Sequence, residues 1–253
     1  MAKLTKVGIY AKHGIKYDSK KNKIYWPHEK IWINELLKHG NSKTGKDVYT
    51  WSLPAGTEGS CVCNCKGCYA MNGFYLMPSV KKALALNLRI VEEDIGFFYH
   101  AISAQLEIIG SCELRIHAAG DFATKNSLAY ALCWKWIAAE NPAVLAWTYT
   151  KVKEYETLFA DLPNGHIVKS VIDGIGVNYG HCDYILETYN KLVSMGASVW
   201  ICRCGFDKNQ HCHGCHHCAT ADFVLFLEHS TEYRAEQDPL YSDLYRLVMA
   251  QED

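Results

Sequence analysis

The sequence of 253 residues has no apolar segment that would direct the chain to a membrane or an export route. Its first 14 residues, MAKLTKVGIYAKHG, lack the apolar core of about 7 to 15 residues that a signal peptide needs. No run of about 18 apolar residues could cross a bilayer. We therefore expect a soluble cytoplasmic protein.

The sequence also lacks an excess of charge of either sign, and it lacks interdomain linkers. The 26 Lys and Arg residues balance 27 Asp and Glu residues, a net charge of −1, which gives no overall basic field for nucleic acid. No repeat, low-complexity segment or Pro/Gly/Ser-rich linker divides the chain. With 49% hydrophobic residues, the sequence predicts a single α/β domain over residues 47–253 and an N-terminal extension, residues 1–46, packed on it.

Cysteine, by contrast, is abundant and clustered. Cytoplasmic proteins rarely keep structural disulfides, so clustered cysteines indicate metal or redox ligands. Nine of the 12 cysteines fall in two short clusters, at positions 61, 63, 65 and 68 and at positions 202, 204, 212, 215 and 218. The isolated Cys112, Cys133 and Cys182 are expected to be small core residues.

In the first cluster, Cys61, Cys65 and Cys68 have the spacing C-x3-C-x2-C. Three thiolates so spaced can hold three irons of a [4Fe-4S] cluster and leave the fourth iron open to a small molecule. Cys63 leaves an alternative open, because it could replace Cys61 or Cys65. It could also complete a closed zinc or cluster site without an open position.

In the second cluster, Cys212, Cys215 and Cys218 have the spacing C-x2-C-x2-C, and Cys202 would supply a fourth thiolate. This set predicts a second [4Fe-4S] cluster or a Zn²⁺ site in the loop of residues 205–221, and we favour iron. Zinc stays open because four histidines add imidazole ligands: His211, His213, His216 and His217. Whether Cys204 is a ligand also stays open.

Hydrophobic periodicity from residue 47 onward predicts strands that alternate with helices. The predicted strands are residues 47–53, 113–119, 143–150, 166–172, 198–204 and 223–229, and the predicted helices are residues 80–95, 97–109, 125–140, 152–161, 183–195 and 240–251. Such alternation is typical of a parallel sheet with right-handed crossovers. Periodicity alone does not separate a doubly wound sheet from a partial barrel. In the extension, residues 6–17 and 22–27 are predicted strands around a polar turn.

Polar side chains follow several of these strands at their carboxyl ends, where α/β proteins build sites. By alternation, Arg115 and His117 share the face that could line a site, which makes His117 either a catalytic candidate or a hydrogen-bonded core residue. Asp121, after Gly120, could accept hydrogen bonds from an ammonium group or cap a helix. Further candidates at strand ends are Thr148, Thr150, Lys151 and Ser170.

Several segments resemble the phage "gene product eighty-eight" family. They are GNSKTGKDVYTWSLPAG (40–56), CYA (68–70), MPSVKKALALNL (77–88), RIHAAGDF (115–122), WTYTK (147–151) and the run of Cys212, Cys215 and Cys218. The resemblance implies a phage protein in the host cytoplasm and says little about its task.

More distantly, the arrangement is similar to that of the radical S-adenosylmethionine (SAM) enzymes. This resemblance implies a partial (β/α)6 barrel of radical SAM type, with an N-terminal hairpin-like extension and a C-terminal cysteine-rich loop. It places Gly120 and Asp121 at the amino group of SAM and Ser170 near its ribose, with Thr150 and Lys151 as further cofactor-binding candidates. The sequence departs from the family at Gly67, where an aromatic residue is usual, at Cys63, and in having Asp121 where Glu is more usual.

The leading hypothesis is an iron-sulfur enzyme that cleaves SAM reductively to a 5'-deoxyadenosyl radical and modifies an unknown substrate. Cys61, Cys65 and Cys68 would bind the open cluster. An auxiliary metal site would use Cys202, Cys212, Cys215 and Cys218. An electron donor such as flavodoxin or ferredoxin is the implied partner. The alternatives are a zinc-stabilised interaction protein without catalysis and an electron-transfer protein with two closed clusters.

Overall fold

The computed structural model of the protein describes residues 4–40, 45, 47–63, 65, 68–172, 175–176, 178–203, 206, 215–227 and 235–251. The helices are α1 (Lys6–Lys12), α2 (Pro78–Glu93), α3 (Ile95–Ile109), α4 (Ser127–Glu140), α5 (Cys182–Ser194) and α6 (Tyr241–Ala250). The strands are β1 (Tyr17–Asp18), β2 (Lys23–Trp26), β3 (Ile31–Asn34), β4 (Lys38–His39), β5 (Val48–Thr50), β6 (Cys112–Ile116), β7 (Val144–Thr150), β8 (Gly165–Lys169), β9 (Val171–Ile172), β10 (Ile175–Gly176), β11 (Tyr179–Gly180), β12 (Val199–Ile201) and β13 (Phe223–Leu227). None of the described helices is both long and apolar enough to cross a bilayer.

Parallel strands form the centre of the main sheet. Strands β5, β6, β7 and β8 lie side by side in chain order. Strand β13 pairs with β8 on one side and with β12 on the other, so the last two major strands exchange places relative to chain order. Strand β4 pairs antiparallel with β5, and β11 runs parallel to the end of β13. The six predicted strands therefore all appear in one mixed α/β sheet.

The helices that pack on this sheet cover one of its faces. Helices α2, α3 and α4 share a buried cluster with Leu114, Ile116 and Ala146, and α5 and α6 share one with Ile201 and Leu225. The register of β8 and β13 places these residues on the same side. A barrel has its helices on one side of the sheet, whereas a doubly wound sheet has helices on both.

Side chains of the opposite face, here called the second face, point away from the helices. They include Arg115, Trp147, Tyr149, Val168, Trp200 and Val224. Cys218, Ala219 and Ala221 of the cysteine-rich segment pack against this face. A barrel also keeps its strands in chain order, and β12 and β13 depart from that order. The partial barrel therefore stays a prediction.

Two predicted elements are wrong. Residues 6–12 form helix α1 rather than a strand, because Thr5 caps the segment by accepting a hydrogen bond from the Gly8 amide at 3.2 Å. Residues 152–161 form successive tight turns rather than an α-helix. Their backbone bonds join residues three apart, as from the Leu158 amide to the Tyr155 carbonyl at 3.0 Å.

The N-terminal segment shares the main core. Tyr10, Ile24 and Trp26 belong to the same buried cluster as Trp51 and Phe98. The predicted hairpin is present as β1 and β2, with β3 added to it. The division into residues 1–46 and 47–253 stays a prediction.

Candidate metal centres

The first cysteine loop begins where β5 ends, and the end of β6 holds its base. The Ala118 amide donates to the Trp51 carbonyl at 2.8 Å, and the Leu53 amide donates to the Ala119 carbonyl at 2.9 Å. The loop then turns tightly at Gly59. A Cβ there would lie 2.3 Å from the carbonyl oxygen of Pro54, so only glycine fits.

Ser60 fastens this loop to the turn after β6. Its Oγ donates to the Pro54 carbonyl at 2.9 Å and accepts from the Asp121 amide at 3.0 Å. Gly120 has a φ of 86°, and a Cβ on it would lie 2.5 Å from the Ser60 Oγ. Gly120 therefore permits both the left-handed backbone and the close approach of the two segments.

Asp121 is buried and joins the ends of β6 and β7. Its Oδ1 accepts from the Thr150 hydroxyl at 2.7 Å, and its Oδ2 accepts from the Lys151 amide at 2.8 Å. A third hydrogen bond comes from the Phe122 amide at 2.7 Å. Burial raises the pKa of Asp121, and these hydrogen bonds oppose that shift. A carboxylate can accept about four hydrogen bonds, so the described contacts leave room for about one more.

Two thiols of the first loop, those of Cys61 and Cys65, lie within electrostatic range of this carboxylate. Burial raises the pKa of Cys61 to about 12, and the charge of Asp121 adds to the shift. Burial also raises the pKa of Cys65, whereas Lys151 lowers it. Cys61, Cys65, Asp121 and Lys151 thus influence one another's charge at the ends of neighbouring strands.

The spacing of these thiols bears on which metal fits. Zinc bonds to sulfur at about 2.3 Å, so thiolates on one zinc ion lie about 3.8 Å apart. Among the described residues, no three cysteines have sulfurs that all lie within 4.8 Å of one another. Two of the sulfurs, those of Cys63 and Cys65, do lie close together, 3.4 Å apart. As they stand, the described thiols therefore do not surround a single zinc ion.

Three cysteines of the second cluster meet on the second face of the sheet. Cys202, at the end of β12, lines one pocket together with Cys215 and Cys218. The pocket is completed by Glu113, Trp147, Trp200, His216 and Ala219. Cys204 and Cys212 lie outside the described residues, as does Gly67 of the first loop. The predicted auxiliary site therefore has three of its four thiols in one place.

The donors around this pocket suit sulfur ligands. The indole N–H groups of Trp147 and Trp200 are buried and have no hydrogen-bond partner in the described part of the chain. The Tyr149 hydroxyl donates to the Cys218 Sγ at 2.8 Å. Buried donors need acceptors, and metal-bound thiolates and cluster sulfides accept such hydrogen bonds. The residues present thus fit a thiolate-ligated metal centre.

His117 lies on the other side of the sheet from the predicted one. Its φ of 58° breaks the strand alternation, so the ring turns toward the helices and away from the face of Arg115. The ring nitrogens contact the Thr148 Oγ1 at 3.1 Å and the Tyr130 Oη at 2.7 Å. Burial lowers the pKa of His117 to about 3, so the ring is neutral at pH 7.

The hydrogen bonds of His117 have a defined direction. The indole of Trp51 can only donate, and it donates to the Tyr130 Oη at 2.7 Å. The Tyr130 O–H can therefore still donate to Nε2 of His117, and the Thr148 hydroxyl, which donates to the Tyr149 carbonyl at 3.3 Å, accepts from Nδ1–H. This geometry favours a core role for His117, and its catalytic role stays a prediction.

Ser170 is the last of the predicted site residues, and four aromatic residues near the sites were not predicted. Ser170 follows β8 and is buried, and its hydroxyl has no hydrogen-bond partner among the described residues. These four aromatic residues lie around the pocket of the second cysteine cluster and around the first loop. They are Tyr69, Trp147, Tyr149 and Trp200. The alternation of β7 could have shown Trp147 and Tyr149 on one face. The contact of Trp200 depends on tertiary packing.

Comparison with known proteins gives one match. The family model described as gene product 88 matches residues 34–182, more than half of the chain. The chain belongs to the gene product 88 family. The match spans the first cysteine loop and the Asp121 turn and ends before the second cysteine cluster. No curated protein and no solved structure matches the chain.

Proposed function

We propose that this gene product 88 protein is an iron-sulfur enzyme of radical SAM type. The observation that carries the proposal is the junction of the first cysteine loop with Asp121 and Lys151 at the carboxyl edge of a parallel sheet, formed by the hydrogen bonds of Ser60 and Asp121. Parallel α/β sheets bind their ligands at that edge. A cluster held there by three cysteines would, when bound, supply the electron that splits SAM into methionine and a 5'-deoxyadenosyl radical.

The residues of the chain have separate roles in this proposal. Cys61, Cys65 and Cys68 hold the cluster, and the loop base stays fixed through Ser60. Asp121 has about one acceptor position left for the ammonium group of SAM, near the amide of Lys151. Thr150 orients the carboxylate for this contact. The buried hydroxyl of Ser170 has donor and acceptor capacity for a ribose.

Helices on one face of the sheet further support a barrel-like architecture, since the opposite face then lines an interior. The exchanged positions of β12 and β13 would make this a variant of the partial barrel. The substrate would enter at the same carboxyl edge. An auxiliary centre at Cys202, Cys212, Cys215 and Cys218 would lie on the interior face.

The test is anaerobic reconstitution with iron and sulfide, followed by reduction with dithionite in the presence of SAM. We expect about four irons for each occupied site and the release of 5'-deoxyadenosine, measured by mass spectrometry. Cys65→Ala should abolish the product. Cys112→Ala, which removes a thiol outside both clusters, should leave it unchanged. Product no higher than in Cys65→Ala would count against the proposal.

A zinc-stabilised binding protein is the second candidate, and the size of the pocket at the second cysteine cluster favours it. The pocket encloses about 20 Å³, little more than the 10 to 15 Å³ that one water molecule requires. A volume of this size suits a single ion better than a [4Fe-4S] cluster, and the three described thiols would have to move closer together to bind that ion. Metal analysis separates the candidates, because a colourless protein with one or two zinc ions and no acid-labile sulfide would support the binding protein.

Two closed clusters in an electron-transfer protein are the third candidate, because Cys63 adds a fourth thiol to the first loop. With Cys63 as a fourth ligand, no iron would be open to SAM. Reversible reduction without 5'-deoxyadenosine would support this function.

A further inference from the structure

Arg115 lies on the second face between the two cysteine loops and contacts a tyrosine on each side. Its Nη2 donates to the Oη of Tyr69 at 3.2 Å. Tyr69 directly follows Cys68 in the first loop. On the other side, the guanidinium lies over the ring of Tyr149, 5.5 Å from its centroid. The Tyr149 hydroxyl donates to the Sγ of Cys218 at 2.8 Å.

These contacts form a continuous path of side chains from the first cysteine loop to a thiol of the second. The path is held at its first end by the Tyr69 hydroxyl, which also donates to the Ala118 carbonyl, and by Tyr75, which donates to the same carbonyl at 3.3 Å. It is held at its second end by packing, because Tyr149 and Cys218 belong to the same buried clusters of the second face.

The chemistry of arginine suits this position. Metal-binding cysteines are thiolates, so each loaded site gains negative charge on or near this face. A guanidinium keeps its positive charge at all relevant pH values, donates in a fixed plane and stacks on aromatic rings. Hydrogen bonds from outside the ligand shell orient the ligands and alter metal affinity by about 10- to 100-fold.

We propose that Arg115 is a positioning residue shared by the two cysteine sites, and that it couples metal binding at one site to metal binding at the other. Metal at the first loop fixes Tyr69 and thereby the guanidinium plane. The fixed guanidinium holds the ring of Tyr149, whose hydroxyl orients the Sγ of Cys218. Because coupling between sites is reciprocal, metal at the second site strengthens binding at the first. This proposal rests on the metal-binding premise of the proposed function.

Anaerobic titration with Co²⁺ tests it, because cobalt-thiolate charge-transfer bands report each site without any catalytic activity. Affinity at the second site is measured with the first loop intact and in Cys61→Ser/Cys65→Ser. Affinity at the first loop is measured with the second site intact and in Cys215→Ser/Cys218→Ser. We expect each intact site to raise the affinity of the other about 5-fold or more.

The Arg115 variants locate the coupling. Arg115→Gln should reduce it to about 1-fold, and Arg115→Lys, which keeps the charge but loses the planar fork, should restore only part of it. Tyr149→Phe should weaken Co²⁺ binding and shift the charge-transfer band at the second site, and it should also reduce the coupling, because it removes the hydrogen bond that ends the path. Tyr69→Phe should have this effect at the first site. Tyr99→Phe removes a hydroxyl that bonds to Glu140 elsewhere in the protein and should change neither site.

The outcomes are distinguishable. Equal coupling in Arg115→Gln and the unaltered protein would overturn the proposal and leave the proposed function intact. Coupling that depends on Arg115, in a protein that forms no 5'-deoxyadenosine, would support the proposal and contradict the radical chemistry. If the unaltered protein binds no Co²⁺ at either site, the metal premise and this proposal are both wrong.

Discussion

The Thr150 hydroxyl donates a 2.7 Å hydrogen bond to Oδ1 of Asp121, and this bond joins the carboxyl ends of two neighbouring strands beneath the first cysteine loop. The Lys151 amide, the next donor along β7, bonds to the other oxygen of the same carboxylate at 2.8 Å. Through the Asp121 amide and Ser60, the junction also includes the loop itself. The loop base is therefore set by buried polar contacts as well as by apolar packing.

Replacement of Asp121 tests this junction. In Asp121→Asn, one carboxylate oxygen becomes an N–H₂ group that faces a donor, so a buried amide or hydroxyl loses its acceptor. We expect the free energy of unfolding to fall by about 1 to 3 kcal/mol. Thr150→Ser keeps both hydrogen bonds of the hydroxyl, the one to the Asp121 carboxylate and the one from the Val152 amide at 3.1 Å, so it should cost less. Urea denaturation measures both, and an equal cost for the two variants would contradict this account.

Gly120 offers a second test with a close control. Gly120→Ala should destabilise the protein both through its φ of 86° and through the 2.5 Å approach of the new methyl group to the Ser60 Oγ. Gly14→Ala has a comparable φ of 73° with no atom within 4 Å, so it should cost only about 1 kcal/mol of backbone strain. We expect Gly120→Ala to exceed it by at least about 1 kcal/mol in thermal or urea unfolding. A similar loss of unfolding free energy in the two variants would show that Ser60 and Leu53 move away from the new methyl group at little cost.

The lowered pKa of the buried His117 leads us to predict that the stability of the protein depends on pH. Its pKa is about 3 when folded and about 6.5 in a model peptide, so the unfolded state binds more protons between these values. The contribution of His117 to the free energy of unfolding is thus complete above pH 6.5. It is lost as the pH falls toward 3, by about 1.4 kcal/mol per pH unit.

Comparison with His117→Asn isolates this effect, because Asn tolerates the positive φ and does not titrate. Other titrating groups are common to both proteins. Between pH 6 and pH 4, the free energy of unfolding should fall more steeply in the unaltered protein than in the variant. Parallel curves from urea denaturation would mean that the ring is protonated without cost.

Cys63 decides whether the first site has an open position. If Cys61, Cys65 and Cys68 are the ligands, Cys63→Ser should retain the iron and sulfide of the first site, whereas Cys65→Ser should lose them. The measurement is iron and acid-labile sulfide per chain after anaerobic reconstitution. Equal losses in the two variants would place Cys63 on the metal and favour a closed site.

Local sequence patterns predicted the parts of the fold that depend on local chemistry. Alternation or short runs of β-prone residues marked all six major strands, and the spacing of the cysteines pointed to two groups that the structure places in two loops. The turn at Gly120 and Asp121 was also predictable, because a glycine directly after a strand is typical of a turn.

Other features depend on tertiary structure and have no local pattern. The insertion of β13 between β8 and β12 is a choice of strand partners, and strand sequences alone do not specify their neighbours. The side of His117 depends on a single positive φ in a residue that usually avoids it. Arg115 was placed on the correct face, but its bridging contacts require loops that are distant in sequence.

The position of β13 has a consequence for the order of biosynthesis. Cys202 follows β12, and among the described strands β12 pairs only with β13, which comes later in the chain. A nascent chain that has not yet released residues 223–227 from the ribosome lacks the strand that holds Cys202 beside the sheet. The second site therefore cannot be assembled before residues 223–227 have left the ribosome, and any metal that binds there would enter after that point.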